Sequence, residues 1–303
     1  MFDAWFANAI APDGDTTDGC HPDEARALQS YLENQTTVAQ AAEAITKPVA
    51  ASQDPDDDVH RLYGLLLDAL LELPASTTAP LLDLLRAIED LPASDPCPGP
   101  HERLVTAHGL CWRGLSNFGH FWSDGATVPW YWSESAGRSL PASGNQDMLV
   151  TQSIRRAEVE AWMALRSLAG IPLGWGYECV TDALERSQAA LDTEVPMACA
   201  WLRVAGDQFR KGAQEGESSW ALKRKGDLWM REENQKPIMT MERWDFWIRR
   251  LKEIANNDTL SSRTRGRLDS VLSRFSCVIE MGYSHAPLLI AHKVTCPHSK
   301  RHH

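Results

Sequence analysis

The strongest constraint in this chain is a block design that repeats: acids first, then apolar residues at helical spacing, then proline. From Asp56 to Pro74, three aspartates lead into Leu62, Leu66, Ala69, Leu70 and Leu73, which share one face of a 3.6-residue repeat before proline closes the block. The stretch 22–45 opens on Pro22, Asp23 and Glu24 and runs to Lys47-Pro48, and a third block over 79–91 stops at Pro92. Acids at a helix start complement the positive end of its dipole, and proline cannot extend the hydrogen-bond ladder. Beyond the breaker-rich run Asp95–Pro100, helices are expected over 101–121, 145–169, 176–191, 196–211, 217–234, 240–255 and 261–281, each bounded by Gly, Pro, Asn or Ser. Almost nothing reads as a strand.

The expected fold is therefore all-α: one multi-helix bundle of about nine to eleven helices over 22–282. An N-terminal segment covers 1–21, a candidate hinge lies at 95–100, and a loosely held tail covers 283–303. The stretch 123–144 is a long aromatic-rich loop expected to pack over one end. With 303 residues and 43% hydrophobic content, the chain can bury a core without disulfide or metal staples. No stretch approaches the roughly 18 uncharged apolar residues of a membrane span, and the N-terminus lacks a signal-like run, so a cytoplasmic protein is expected.

Charge is unevenly spread. Residues 1–100 hold 18 acids against 4 bases, for a net of -14, and the remainder therefore carries +3 of the total of -11. Either the acidic helices pack near a weakly basic half, or these are separate solvated faces. Nucleic acid is not an expected partner, because the basic runs Lys223-Arg224-Lys225 and Arg263, Arg265, Arg267 are short enough to be ordinary helix faces. Seven cysteines form no Cys-x-x-Cys pair and fit reduced thiols, with Cys179, Cys199 and Cys277 in the core.

Twelve tryptophans outnumber seven phenylalanines, and they cluster. Either Trp112, Trp122, Trp132, Trp175, Trp244 and Trp247 line an aromatic cavity for a hydrophobic substrate, or indoles fill helix joints with their N–H groups bonded to carbonyls. Near them, His120 precedes Asp124 by four residues at a helix end, and Glu178 opens the next helix. These three are the candidate proton-transfer residues; the plainer alternative is capping, an Asp-Gly turn and a favourable helix-start charge. Arg243 either stacks on Trp247 or meets an anionic ligand group at a cavity rim.

Metal and nucleotide patterns fare worse. Asp54, Asp56, Asp57 and Asp58, with Asn257-Asp258 to Ser261, resemble the magnesium motifs of class I terpene cyclases, but Arg61 and Arg265 stand where acids belong. Capping and helix-start charge explain both segments, and the tail set Cys296, His298, His302 and His303 reads as adventitious. No metal and no cofactor are expected, and Gly-x-Gly-x-x-Gly, Walker, Gly-x-Ser-x-Gly and His-Glu-x-x-His patterns are missing from the sequence.

Several pieces together carry a family resemblance: Ile45-Thr-Lys-Pro48, Leu62 to Pro74, Gly119-His120-Phe-Trp122-Ser-Asp124, Leu184-Glu-Arg186 leading to Val195-Pro-Met-Ala198 and Trp201, and Arg243-Trp-Asp-Phe-Trp247 with Arg250-Leu251. In these the chain resembles a family of uncharacterised ascomycete fungal proteins known only as a domain of unknown function. The resemblance implies an all-helical intracellular protein, with some members among specialised-metabolite genes, and supplies no catalytic residues to carry over. The leading expectation is a cofactor-independent cyclase or isomerase of fungal specialised metabolism acting on a hydrophobic small molecule. Its rivals are a non-catalytic helical interaction module and a noncanonical magnesium-dependent terpene cyclase. Oligomeric state is left open.

Overall fold

The computed structural model describes residues 2–14, 16–92, 104–106, 109–124, 146–224, 226–232 and 236–282. Among these residues the fold is all-α, as expected. The helices are α1 (Asp3–Ile10), α2 (Pro22–Leu32), α3 (Val38–Ala51), α4 (Pro55–Glu72), α5 (Thr78–Glu89), α6 (Phe118–Asp124), α7 (Gln146–Leu165), α8 (Leu173–Glu185), α9 (Leu191–Glu215), α10 (Met241–Ala255) and α11 (Ser262–Gly282). The described strands are two short ones, β1 (Val105–Thr106) and β2 (Gly109–Leu110), paired antiparallel with Val105 opposite Leu110. No helix among the described residues is long and apolar enough to cross a membrane.

Three helix expectations need correction. The block 22–45 is two helices, because Asn34 turns into the left-handed region at φ 59° and Thr37 starts α3. Thr37 and Gln40 form a capping box, each side chain accepting from the other's backbone N–H. Pro48 does not stop α3: its missing N–H frees the carbonyl of exposed Ala44, while buried Ile45 and Val49 hold the last turn down. The expected helix over 101–121 is instead the β1–β2 pair and the short α6, and 217–234 holds two 3-10 turns, Ala221–Lys223 and Trp229–Arg231. Most of the 123–144 loop, the 95–100 hinge and the 283–303 tail lie outside the described residues.

Two apolar cores form, and α7 divides them. Leu28, Ile45, Leu62, Leu66, Leu70, Leu81, Leu85 and Ile88 fill the first, under α1 to α6, and Phe6 of α1 joins it. Val159 and Met163 contribute from one side of α7, while Ile154, Ala157 and Ala161 face the second core from its opposite side. The second core packs Tyr177, Trp201, Phe209, Trp229, Trp244, Trp247 and Phe275 from α8 to α11 and the turns between them. Close approach there requires glycine: a Cβ on Gly176 would lie 2.3 Å from the Trp201 ring, and one on Gly206 would lie 2.4 Å from Phe275. An exposed ion pair from Asp83 to Arg166, at 2.7 Å, joins the acidic portion to the basic one.

Candidate functional site

Where the two cores meet, four helices leave a small cavity. Helix α8 presents Trp175, Glu178, Cys179 and Asp182 to it, and α7 presents Ser153, Arg156, Ala157 and Glu160. Both sets follow the i, i+3, i+4, i+7 spacing of a single helix face. Glu194 and Met197 of α9 and Ser123 of α6 complete the wall. The free space is about 60 Å³, room for about four water-sized groups.

Charge at this cavity is held in pairs. Arg156 Nε donates to Glu160 Oε1 at 2.9 Å, its Nη2 donates to the Trp122 carbonyl, and its guanidinium lies 5.0 Å from the Trp122 ring centroid. Trp122 Nε1 donates to the same Glu160 oxygen at 2.9 Å. Burial pushes the Glu160 carboxyl up, and Arg156 and Trp122 oppose the shift. Glu178 is buried, and its Oε1 accepts from Arg224 at 3.1 Å. Asp182 pairs with Arg186 at 3.3 Å, and Glu194 Oε2 accepts the Ala190 backbone N–H at 3.0 Å. Burial and neighbouring carboxylates push the Cys179 thiol well up, which keeps it protonated and a poor nucleophile at neutral pH.

Of the residues singled out in the sequence, the structure brings Glu178 and Trp175 to this cavity and places Trp122 directly behind it, through Glu160 and Arg156. His120 is exposed on α6. Asp124 ends α6, its side chain lies outside what is described, and Trp132 lies in the undescribed stretch. Trp112 is buried in the first core, and Trp244 and Trp247 in the second. Trp244 meets Phe275 edge-on at 5.1 Å. The indoles described thus mostly fill helix joints, with three N–H groups bonded to glutamates rather than to carbonyls: Trp5 to Glu72, Trp122 to Glu160 and Trp247 to Glu185.

Arg243 is also placed differently from its expected stacking. It is fully buried, donates from Nε and Nη2 to Glu185 at 2.6 and 2.8 Å and from Nη1 to the Leu222 carbonyl, and lies over Trp229 rather than Trp247, at 5.4 Å. The carboxylate of Glu185 draws it across the α8–α10 joint. The acidic run before α4 is likewise structural: Asp54 caps the helix, Asp56 accepts the Leu104 and Val105 N–H groups, and Asp58 binds His21 at 2.8 Å. Cys111 is disulfide-bonded, which corrects the expectation of reduced thiols throughout; Cys20, Cys179 and Cys199 are free.

Sequence reasoning missed Arg156, Glu160, Asp182 and Glu194. Their spacing was legible, but polar residues at i, i+3 and i+4 normally mark a solvated face, and only the meeting of α7, α8 and α9 encloses them. A family model described as "Protein of unknown function (DUF3632)" matches residues 63–251, which run from the middle of α4 through α9 and most of α10. Neither a curated protein nor a solved structure matches the chain.

Proposed function

Because the chain belongs to the DUF3632 family of proteins of unknown function, its role has to be read from the site, and we propose that the Glu178 cavity is a small-molecule site for cofactor-independent proton transfer. In this reading the protein is a cyclase or isomerase of fungal specialised metabolism. The observation that carries it is the convergence of Glu178, Trp175 and the Arg156–Glu160 pair on one cavity at the junction of two cores. Trp175, Ala157 and Met197 offer apolar contact to a hydrophobic substrate, and with about 60 Å³ of free space they seat its reacting end rather than the whole molecule. Glu178 is the group placed to take or return a proton, and Arg156 and Glu160 hold the opposite wall rigid. His120, exposed on α6, has no part in this reading.

A reaction of this class conserves mass, which makes the test concrete. Metabolite profiles of a host strain would be compared with those of a strain lacking the gene and of one carrying Glu178→Gln. The expected result is replacement of one compound by an isomer of identical mass in both altered strains, with the Gln protein present at normal abundance. An unchanged profile on deletion, or a difference of oxygen or hydrogen atoms, would remove the proposal. A Glu178→Gln strain indistinguishable from the parent would remove Glu178 from the mechanism.

A further inference from the structure

A second concavity, larger than the first, opens between α1 and α4. Its free space is about 390 Å³, within the range of roughly 300–1,000 Å³ typical of small-molecule pockets. Helix α4 supplies the floor with Arg61, Gly64, Leu65, Asp68 and Glu72, the recurrence of one helix face. Trp5 comes from α1 and Phe121 from α6, so aromatic surface from two other helices reaches the same cleft.

The electrostatics of this cleft are unbalanced. Asp18, Asp68 and Glu72 line it against the single guanidinium of Arg61, with His60 and the Cys20 thiol also on the wall. Arg61 is anchored away from the two α4 carboxylates: its Nε donates to the Gly19 carbonyl at 2.6 Å and its Nη2 to that of Thr16 at 3.4 Å. Glu72 accepts the Trp5 indole N–H at 2.8 Å. Asp68 has no hydrogen-bond or ion-pair partner among the described residues. It also stands one turn before Glu72, and like charges at i, i+4 destabilise a helix. Although Asp68 is open to the cleft, desolvation by the surrounding walls and the Glu72 charge push its carboxyl up to about 6. A cation in the cleft would relieve that repulsion.

Gly64 is an independent sign. It lies in the interior of α4, where glycine costs about 1 kcal/mol relative to alanine. A Cβ there would meet the protein only at ordinary contact distance, 3.9 Å from Phe121. Helix packing does not call for the glycine; its effect is to leave the floor of the cleft open beside an aromatic ring.

We propose that this cleft binds a small organic ammonium ion, with the charged nitrogen at Asp68 and Glu72 and the apolar body over Gly64 against Trp5 and Phe121. A primary ammonium fits best, because Asp68 lacks a donor and such a group supplies three. Aromatic faces add attraction for the cation. Calcium takes six to eight oxygen ligands, more than these carboxylates supply, and magnesium held by one or two carboxylates would keep most of its waters and gain nothing from the aromatic walls.

The test is isothermal titration of the full chain with 2-phenylethylammonium chloride at neutral pH. The neutral isostere 2-phenylethanol and magnesium chloride at matched ionic strength serve as comparisons. Saturable binding of the ammonium alone is expected. Asp68→Asn should weaken it roughly tenfold or more, which corresponds to about 1.4 kcal/mol. Gly64→Leu, which fills the floor without changing charge, should abolish it while circular dichroism shows an intact helical fold. If that variant fails to fold, Asp68→Asn alone decides. No saturable heat up to about 10 mM ligand, equal heat from the alcohol or from magnesium, or unchanged affinity in Asp68→Asn would each overturn the proposal.

Discussion

The two cores of this protein differ in how much aromatic surface they bury. The first, under α1 to α6, is dominated by leucine, isoleucine and alanine, side chains that carry no hydrogen-bonding groups. The second, among α8 to α11, sets four tryptophans, three phenylalanines and a tyrosine among its aliphatic side chains, a heavier aromatic share than the first. A buried indole N–H gains from an acceptor, and an acceptor that is a carboxylate imports charge; Trp201 and Trp229 of this core are left without one among the described residues. Trp247 donates to Glu185, and Glu185, at zero exposure, is balanced by Arg243, also at zero exposure. One buried tryptophan thus brings a carboxylate and a guanidinium into the interior. The first core carries one such chain, from Trp122 through Glu160 to Arg156 at its edge, and away from that edge its leucine-rich packing should be the more forgiving of the two.

Arg243→Met is the most direct way to break that comparison. It keeps an unbranched apolar stem, removes the guanidinium, and strands Glu185 as a buried carboxylate with Trp247 as its remaining donor. The expected loss is about 3–5 kcal/mol, read by urea denaturation. A loss below about 1 kcal/mol would mean the aromatic core does not depend on its ion pair.

The first core has its own ionisable intruder, and it sharpens the contrast. Glu24 is fully buried, with Oε2 accepting the His21 backbone N–H and Oε1 without a partner among the described residues. Burial, with the Asp58 charge adding to it, raises this carboxyl to about 7 from 4.5. A carboxyl raised on folding binds its proton more tightly in the native state. Its contribution to stability is therefore complete below pH 4.5 and declines as pH rises to about 7. The decline amounts to about 3 kcal/mol. Glu24→Gln retains an acceptor for the His21 cap and should remove this slope, leaving the variant more stable than the parent at pH 8. Thermal melts of both proteins from pH 4 to 8 check it; parallel curves would show that Glu24 is not the source.

The smallest effect is expected from Leu66→Met in the first core. A swap of nearly equal volume at a fully buried aliphatic site should cost less than about 1.5 kcal/mol. If it cost as much as Arg243→Met, the two cores would be equally exacting and the contrast would fail.

Periodicity made α4, α5, α10 and α11 legible nearly to their ends, because each has an apolar face, a cap or proline, and no competing local signal. The same reasoning failed at 22–45, where no glycine or proline announces the turn through Asn34, and over 217–234, where apolar residues pack as two 3-10 turns instead of a helix. At the site, Glu178 and Trp175 could be found because they stand in an aromatic neighbourhood, although α8 starts at Leu173 and Glu178 lies beyond its first turn instead of opening it. Asp68 and Gly64 could not, because on α4 they read as a solvated acid and a weak helix residue.

By itself, then, the sequence determined that this chain is helical, where several of its helices begin and end, and which faces turn inward. Those properties depend on residues within a turn or two of each other. Only the tertiary structure decided what the charged residues do. Glu185 and Arg243 are 58 residues apart, Trp122 and Glu160 are 38 apart, and Arg61 reaches back 42 residues to Gly19. Whether a glutamate on a helix face meets water, an indole or a guanidinium depends on which helix packs over it, and that is set by the assembled cores rather than by the spacing of any one segment.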